Sequence, residues 1–253
     1  MPSDLLSDGI GDDEDASADD GDGVDYVDDG IQGSSWQPVH DWLPAATFDV
    51  LFLVDSLGQQ SPPGPTELHT FAYLACLLSV YKGHPASDWG YAFTAVPPTL
   101  PYSPAMDSAI STLMASGRVE AQADTEPSGS LSLRMTVVGR DDLKFLGALE
   151  AFEPRADFLR AAARTPLFTS LPAVVNSMGF EPQLAQALQL NSSRMLLTEV
   201  TTGLLYREFD ALLAALGPAD RDLLVPAALY VRYLQERARQ NLADASAGTA
   251  DDE

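Results

Sequence analysis

The spacing of apolar residues after position 45 predicts three helices in the first half of the chain. Residues 46–58 form a compact apolar run that ends at Gly58, which indicates a first helix. Apolar positions then recur at three- and four-residue steps over residues 66–81, where Pro65 precedes a capping Thr66. A third helix is predicted from Pro104, after Ser103 as its cap, to the stop at Gly117.

Shorter patterns between and after these helices predict strands. Trp89, Tyr91 and Phe93 alternate with polar or small residues, which indicates a strand over 88–94. The prolines at 97, 98 and 101 predict a rigid turn. Residues 119–121 and 131–137 flank a polar loop, so we expect them to pair as a hairpin.

Beyond Gly139 the pattern is helical almost to the end of the chain. The predicted helices cover residues 143–149, 155–164, 167–178, 182–190, 192–216 and 219–242. The order of elements predicts a mostly α fold with a small β-hairpin, namely a winged helix-turn-helix domain followed by a helical domain. We place the winged-helix domain at residues 46–140 and the C-terminal helical domain at 141–243.

The formal charge of −23 is concentrated at the two ends of the 253-residue chain. Residues 1–45 contain thirteen acidic residues and no Lys or Arg, and residues 244–253 add four acids. Removing these seventeen acids leaves twenty against all fourteen basic residues, a net charge of −6 for the body. Because so polar and acidic a composition cannot bury enough apolar surface to fold, we expect a disordered N-terminal arm at 1–45 and a disordered tail at 244–253.

The N-terminal arm has two interpretations. It is a leader that keeps the protein soluble by charge repulsion, or it is an acidic segment that docks on a basic surface of a partner. Apolar residues interleave with the aspartates, which is more than solubility requires and adds support to the docking interpretation, and Trp42 could tether the arm to the body. Tyr26, Trp36 and Trp42 are therefore candidate partner-binding residues.

The sequence contains no recognisable catalytic, cofactor-binding or metal-binding constellation. His69 is expected to be partly exposed on a helix, Cys76 to fill the core, and His84 to lie in a turn. His40 lies next to the acidic arm and is not expected to form a site. The Asp141–Asp142 pair is interpreted as a helix N-terminal cap. No secretory signal and no membrane-spanning run is predicted, so we expect a cytoplasmic protein that is not an enzyme and carries no cofactor.

Partner surfaces are predicted on the later helices. The third helix contains no Lys or Arg, so direct contact with duplex DNA is not expected, and any DNA contact is at most indirect. Arg155, Arg160 and Arg164 are spaced five and four residues apart and could form a basic ridge. Apolar residues form a broad stripe on the last helix. Its candidate partner-binding members are Leu229, Tyr230 and Tyr233.

A family resemblance rests on a series of short motifs over residues 47–140. They are a leucine-rich helix with Phe71, the run Trp89-Gly90-Tyr91-Ala92-Phe93, Pro101-Tyr102-Ser103-Pro104, Leu113 followed by Gly117, and Thr136-Val137-Val138-Gly139. This pattern resembles the phage-associated winged-helix proteins and the middle components of ABC-three-component bacterial defence systems. It departs from them at Leu100, where the family usually has glycine, and at Arg118, where it has an apolar residue.

The resemblance implies a function that the residues alone do not specify. It predicts a non-enzymatic adaptor subunit, in complex with a co-encoded SMC-like ATPase and an effector, in antiphage or anti-plasmid defence. The alternative from the same fold is a winged-helix DNA-binding regulator or antitoxin. A coiled-coil ATPase gene beside this one would favour the adaptor, and a toxin gene the antitoxin.

Overall fold

The structure of this protein is a computed structural model that describes residues 42–97, 99–123, 131–198 and 223–248, with positions 205, 207, 209, 211 and 214. All of these lie within the compact unit of residues 37–253. The helices are α1 Leu43–Gly58, α2 Pro65–Tyr81, α3 Pro104–Ala115, α4 Val137–Gly147, α5 Glu153–Arg164, α6 Leu171–Met178, α7 Pro182–Gln189 and α8 Leu224–Gly248. The strands are β1 Phe93–Val96, β2 Thr99–Tyr102, β3 Val119–Ala123, β4 Leu131–Met135 and β5 Arg194–Leu196. The described fold is therefore mostly helical with small antiparallel sheets, which confirms the predicted class at that level.

Helix α2 is the centre of the described fold. Every residue from Leu68 to Tyr81 is buried, and the helix contacts α1, α3, α5, α6 and α8. Its N-terminus differs from the prediction, because the capping position is Gly64 and not Thr66. The carboxylate of Glu67, the third helical residue, turns back to accept the Gly64 N–H at 3.0 Å, which is one half of a capping box.

The third helix and the hairpin after it agree with the sequence pattern, except that the second strand ends at Met135 and not at Val137. Helix α3 starts at Pro104, where the missing N–H removes no hydrogen bond, and buries Met106, Ile110 and Leu113. The chain leaves this helix through Gly117, whose φ of 69° is a left-handed conformation that glycine adopts without strain. Strands β3 and β4 then pair antiparallel, with Val119 opposite Met135, while the hairpin tip at 124–130 lies outside the described residues.

The predicted strand over 88–94 is wrong in its first half. Residues Ala86–Trp89 form a 3₁₀ turn, and Gly90 has a φ of 84°, which breaks extended structure before β1 begins at Phe93. The predicted rigid turn of prolines is also corrected, since Pro101 lies in β2, which pairs with β1. Because β2 is an edge strand, a residue without an N–H is tolerated there.

A second correction concerns the predicted long helix from Ser192. Arg194–Leu196 is instead strand β5, which pairs antiparallel with β1 and completes a three-stranded sheet in the order β2-β1-β5. Asn191 and Leu197, on either side of β5, have φ values of 45° and 58°. These left-handed residues turn the backbone out of helical geometry at both ends of the strand.

Helix α4 begins earlier than predicted. Thr136 is its N-cap, and its hydroxyl accepts the Gly139 N–H at 3.2 Å. Asp141 and Asp142 are consequently inside the helix and do not cap it, and each forms an ion pair, with Lys144 and Arg118 respectively. Helix α8 starts at Leu224 instead of Ala219, which places Pro226 in the first turn, where proline costs no helical hydrogen bond.

One hydrophobic cluster includes residues from both halves of the described chain. It contains Leu51 and Phe71 from the first half together with Leu159 and Leu234 from the second. The proposed division into domains 46–140 and 141–243 stays a prediction, and the packing shows that the two segments share a core. No described helix is both long and apolar enough to cross a bilayer.

Candidate protein-interaction site

Arg155, the first arginine of the predicted basic ridge, lies inside the protein. Its side chain is 11% exposed and forms a two-point ion pair with Asp49, with Nε 2.5 Å from Oδ1 and Nη2 2.7 Å from Oδ2. Nη1 donates to the Trp89 carbonyl at 2.7 Å, and the Tyr91 hydroxyl donates to Asp49 Oδ2. The guanidinium also lies 3.9 Å from the centre of the Trp89 ring.

These contacts give Arg155 a structural role. Although burial lowers it, the pKa of Arg155 is raised overall by the charge and hydrogen bonds of Asp49. Burial raises the pKa of Asp49, and the Arg155 guanidinium acts in the opposite direction. The pair connects α1 to α5, and because both groups already have close partners it offers no free charge to another molecule.

The three arginines do not form one exposed ridge. Five residues of α-helix rotate by about 140°, so Arg155 and Arg160 point to different sides of α5. Arg160 is exposed, pairs with Asp157 and lies 5.9 Å from the Phe52 ring centre. Arg164, one turn later, is exposed at the end of the helix. Only these two remain candidates for contact with a partner.

The predicted residues on the last helix also separate into core and surface. Tyr230 is 4% exposed, and its ring packs against Phe209 at 5.5 Å between centres. Tyr233 is 46% exposed and stacks on Tyr230 at 6.3 Å. Leu229 is half-buried. Leu229 and Tyr233 are therefore available at the surface, whereas Tyr230 is buried and its ring packs against that of Tyr233.

Leu229 lines a groove between α8 and the turn that precedes α6. This α8 groove has a volume of about 420 Å³, and its lining residues are Thr165, Phe168, Thr169, Ala228, Leu229, Val231, Arg232, Gln235 and Arg239. Gln235 Nε2 donates to Thr169 Oγ1 at 3.1 Å, which holds the turn against the helix. Thr165 and Val231 are fully buried and form the floor.

The rim of the α8 groove combines an exposed aromatic ring with two arginines. Phe168 is 65% exposed, and Leu167 beside it is also exposed. Arg232 and Arg239 are exposed on the facing side of α8. An apolar wall with a few polar groups is typical of a binding site for a ligand or a peptide. Phe168, Arg232 and Arg239 were not predicted from the sequence, in which Leu167 and Phe168 had the pattern of a buried helix and not of an exposed turn.

A second apolar surface lies on α4. Val137, Val138 and Phe145 are all more than half exposed, and Phe145 reaches 67%. Val138 and Phe145 are seven residues apart and share one side of the helix. Large apolar side chains clustered on a surface are common at protein interfaces.

Helix α3 has no basic residue on its outer side. Its exposed positions are Pro104, Asp107, Ser111, Thr112 and Ala115. Phosphate groups bind to clustered cations, so this face has a poor composition for contact with a nucleic-acid backbone.

Two of the remaining candidates for chemistry, His69 and Cys76, belong to the core. His69 is buried, contrary to the expectation of partial exposure, and its Nδ1 accepts the Ser103 N–H at 3.2 Å. Burial lowers the pKa of His69 to about 4, against a smaller opposing effect of Asp107. Cys76 is a buried free thiol, as predicted, and burial raises its pKa. His84 packs on the Phe158 ring, and no group of residues in the described part could hold a metal ion.

Three predicted residues concern the N-terminal segment. Trp42 is half-buried, precedes α1 and packs against the core, and its carbonyl accepts the Ala46 N–H at 3.0 Å. Tyr26 and Trp36 lie outside the described residues, as does His40. Their partner-binding role stays a prediction.

Comparison with known proteins gives no relative: no family model, no curated protein and no solved structure matches this chain.

Proposed function

We propose that this chain is a non-enzymatic, cytoplasmic adaptor subunit that binds an SMC/ABC-type ATPase and an effector in bacterial antiphage or anti-plasmid defence. The proposal includes a winged-helix arrangement of α1, α2 and α3 with β3–β4 as the wing. Two packing contacts support that arrangement, since α1 packs on α3 and also on β4. The short motifs between residues 47 and 140 are the basis for the defence system.

The observation that carries the adaptor function is the apolar surface of the α8 groove. Phe168 and Leu229 present aromatic and aliphatic area next to Arg232 and Arg239, a composition enriched in the centres of protein interfaces. The exposed face of α4 supplies a second contact area on the same chain. An adaptor needs at least two such surfaces, because it must bind more than one partner.

Two details of the fold give structural reasons for the motifs of the resemblance. Thr136 caps α4 through the Gly139 N–H, and Gly139 has no room for a side chain because the Arg118 carbonyl oxygen would lie 2.2 Å from a Cβ. Gly117 supplies the left-handed turn after α3. These residues therefore stabilise the junction between α3, the hairpin and α4, and none of them implies catalysis.

The alternative function, a DNA-binding regulator or antitoxin, has less support. The exposed side of α3 carries Asp107 and no cation, and the whole chain has a formal charge of −23. Both features repel a phosphate backbone, so we expect the purified protein to have no appreciable affinity for duplex DNA at physiological salt.

The test is coexpression with the ATPase encoded beside this gene, followed by affinity purification and size-exclusion chromatography. A stable complex containing both chains is the expected result. Failure to associate with any co-encoded ATPase contradicts the adaptor proposal. Sub-micromolar, salt-sensitive binding of the isolated protein to duplex DNA, measured by fluorescence anisotropy, supports the regulator instead.

A further inference from the structure

The α8 groove differs in charge from the rest of the chain. Its lining includes Arg232 and Arg239 and no carboxylate. The whole chain has 37 acidic and 14 basic residues, so a site lined by two cations and no anion has the opposite sign of charge to the chain as a whole. A groove of this kind attracts a negatively charged ligand.

Both arginines are available for a ligand. Arg232 forms no ion pair with any residue that the structure describes. Arg239 pairs with Glu236 at 2.9 Å, but both side chains are more than half exposed, and a surface pair one helical turn apart is weak. A carboxylate from another molecule can therefore displace Glu236 from Arg239 at little cost in free energy. It can also pair with Arg232 without breaking any of the described ion pairs.

The apolar part of the groove indicates that the ligand has an apolar group in addition to its negative charge. Phe168 stands exposed on the rim, Leu229 forms part of the wall, and Val231 lies in the floor. The volume of about 420 Å³ lies in the range of pockets that take up small ligands or anchoring side chains. A purely polar anion would leave this apolar surface uncovered.

We infer that the α8 groove binds an acidic segment of a partner protein, which places an aromatic or aliphatic side chain against Phe168 and Leu229 and its carboxylates against Arg232 and Arg239. The inference rests on the proposed adaptor function and names the chemistry of one of its partners. Charge complementarity and the apolar wall are its two independent supports.

A protein segment fits the surroundings of the groove better than a nucleic acid. A nucleic acid brings a charge on every phosphate, and beyond two arginines it would meet a chain of net charge −23. A short acidic segment brings only a few charges, which can be placed at the arginines alone. Binding of an oligonucleotide is therefore the alternative outcome of the test.

The first experiment measures binding of short fluorescent peptides to the full-length protein by anisotropy. The probe alternates aspartate with phenylalanine and leucine, its counterpart has lysine in place of aspartate, and a third probe is a single-stranded oligonucleotide. We expect the acidic peptide to bind and the R232E/R239E variant to bind it about tenfold more weakly. The matched control, R134E/R140E, makes the same change in net charge at exposed positions outside the groove and should bind like the wild type.

The apolar part is tested with two apolar side chains of similar exposure. F168A should weaken binding of the acidic peptide several-fold, whereas L190A, at the end of α7 and outside the groove, should not. The inference is overturned if the acidic peptide does not bind, if the lysine peptide or the oligonucleotide binds as tightly, or if the groove variants bind as the wild type does.

A second measurement separates this inference from the adaptor proposal. The complex with the co-encoded ATPase is purified with wild-type protein, R232E/R239E and R134E/R140E. Loss of the complex with R232E/R239E alone supports the groove as its docking site. A complex that tolerates R232E/R239E refutes the groove as the partner's site and leaves the adaptor function standing, whereas absence of any complex with the wild type refutes the adaptor function.

Discussion

Replacing either member of the Asp49–Arg155 pair should destabilise the protein strongly, and replacing both should not. In R155M the buried Asp49 carboxylate retains, among the described residues, only the Tyr91 hydroxyl as a hydrogen-bond donor, and the Trp89 carbonyl loses the Arg155 donor as well. In D49L the guanidinium retains, within the described part of the chain, only the Trp89 carbonyl and its ring contacts. Leaving one charge buried without its partner costs about 3–5 kcal/mol.

The double variant removes both charges from the core. Apolar side chains of similar size in place of a buried ion pair are often neutral or stabilising, so D49L/R155M should be at least about 2 kcal/mol more stable than either single variant. Since domains of this size are stable by only about 5–15 kcal/mol, both single variants should unfold at clearly lower urea concentrations. The double-mutant cycle would then give a coupling energy of several kcal/mol.

The assay is urea unfolding of all four proteins, followed by far-UV circular dichroism and tryptophan fluorescence. Coincident transitions justify a two-state fit. Single variants that each cost less than about 1 kcal/mol would refute the view that the pair is a buried connection between α1 and α5. A double variant that loses the sum of the two single effects would show that the two residues act independently.

Three further predictions concern other parts of the chain. G139A should lower the free energy of unfolding by about 2 kcal/mol or more, because the added Cβ would lie 2.2 Å from the Arg118 carbonyl oxygen. The control G147A, whose Cβ would have no atom within 4 Å, should be neutral or slightly stabilising in the same urea assay. Because the pKa of His69 is lowered to about 4 and an unfolded histidine titrates near 6.5, stability should be complete above about pH 6.5 and fall by at most about 3 kcal/mol towards pH 4. H69Q should lack that part of the slope, and an unchanged slope would contradict it. Deletion of residues 1–33 removes twelve carboxylates and should slow association with the ATPase partner proposed above at low salt, whereas equal rates would favour a solubilising leader.

Local patterns predicted the helices well and the contacts between distant segments poorly. The first three helices were predicted from apolar spacing, from the start signals at Pro65 and Pro104, and from the stop signal at Gly117. Strand β5 was missed, because three residues are too few to show a period and its structure depends on pairing with β1. The 3₁₀ turn before Gly90 was missed because Trp89, Tyr91 and Phe93 have the spacing of a strand whether or not the backbone is extended.

The candidate site shows the same limit. Leu229 and Tyr233 were found because an apolar stripe on a long helix is visible in the sequence. The α8 groove was not, since Phe168 and Arg232 are far apart in sequence and come together only when α8 packs beside the turn before α6. The inward position of Arg155 likewise depends on Asp49, more than a hundred residues earlier.

The pairing of β1 with β5 has a consequence for synthesis of the chain. Thr94 pairs with Met195, so about a hundred residues must be translated after β1 before its second neighbour exists. β1 can pair with β2 as soon as both leave the ribosome, but its other edge stays open until residue 196 emerges. An open strand edge in a nascent chain is a site for wrong pairing. Until β5 has been synthesised, β1 therefore presents an unpaired edge that another strand could occupy.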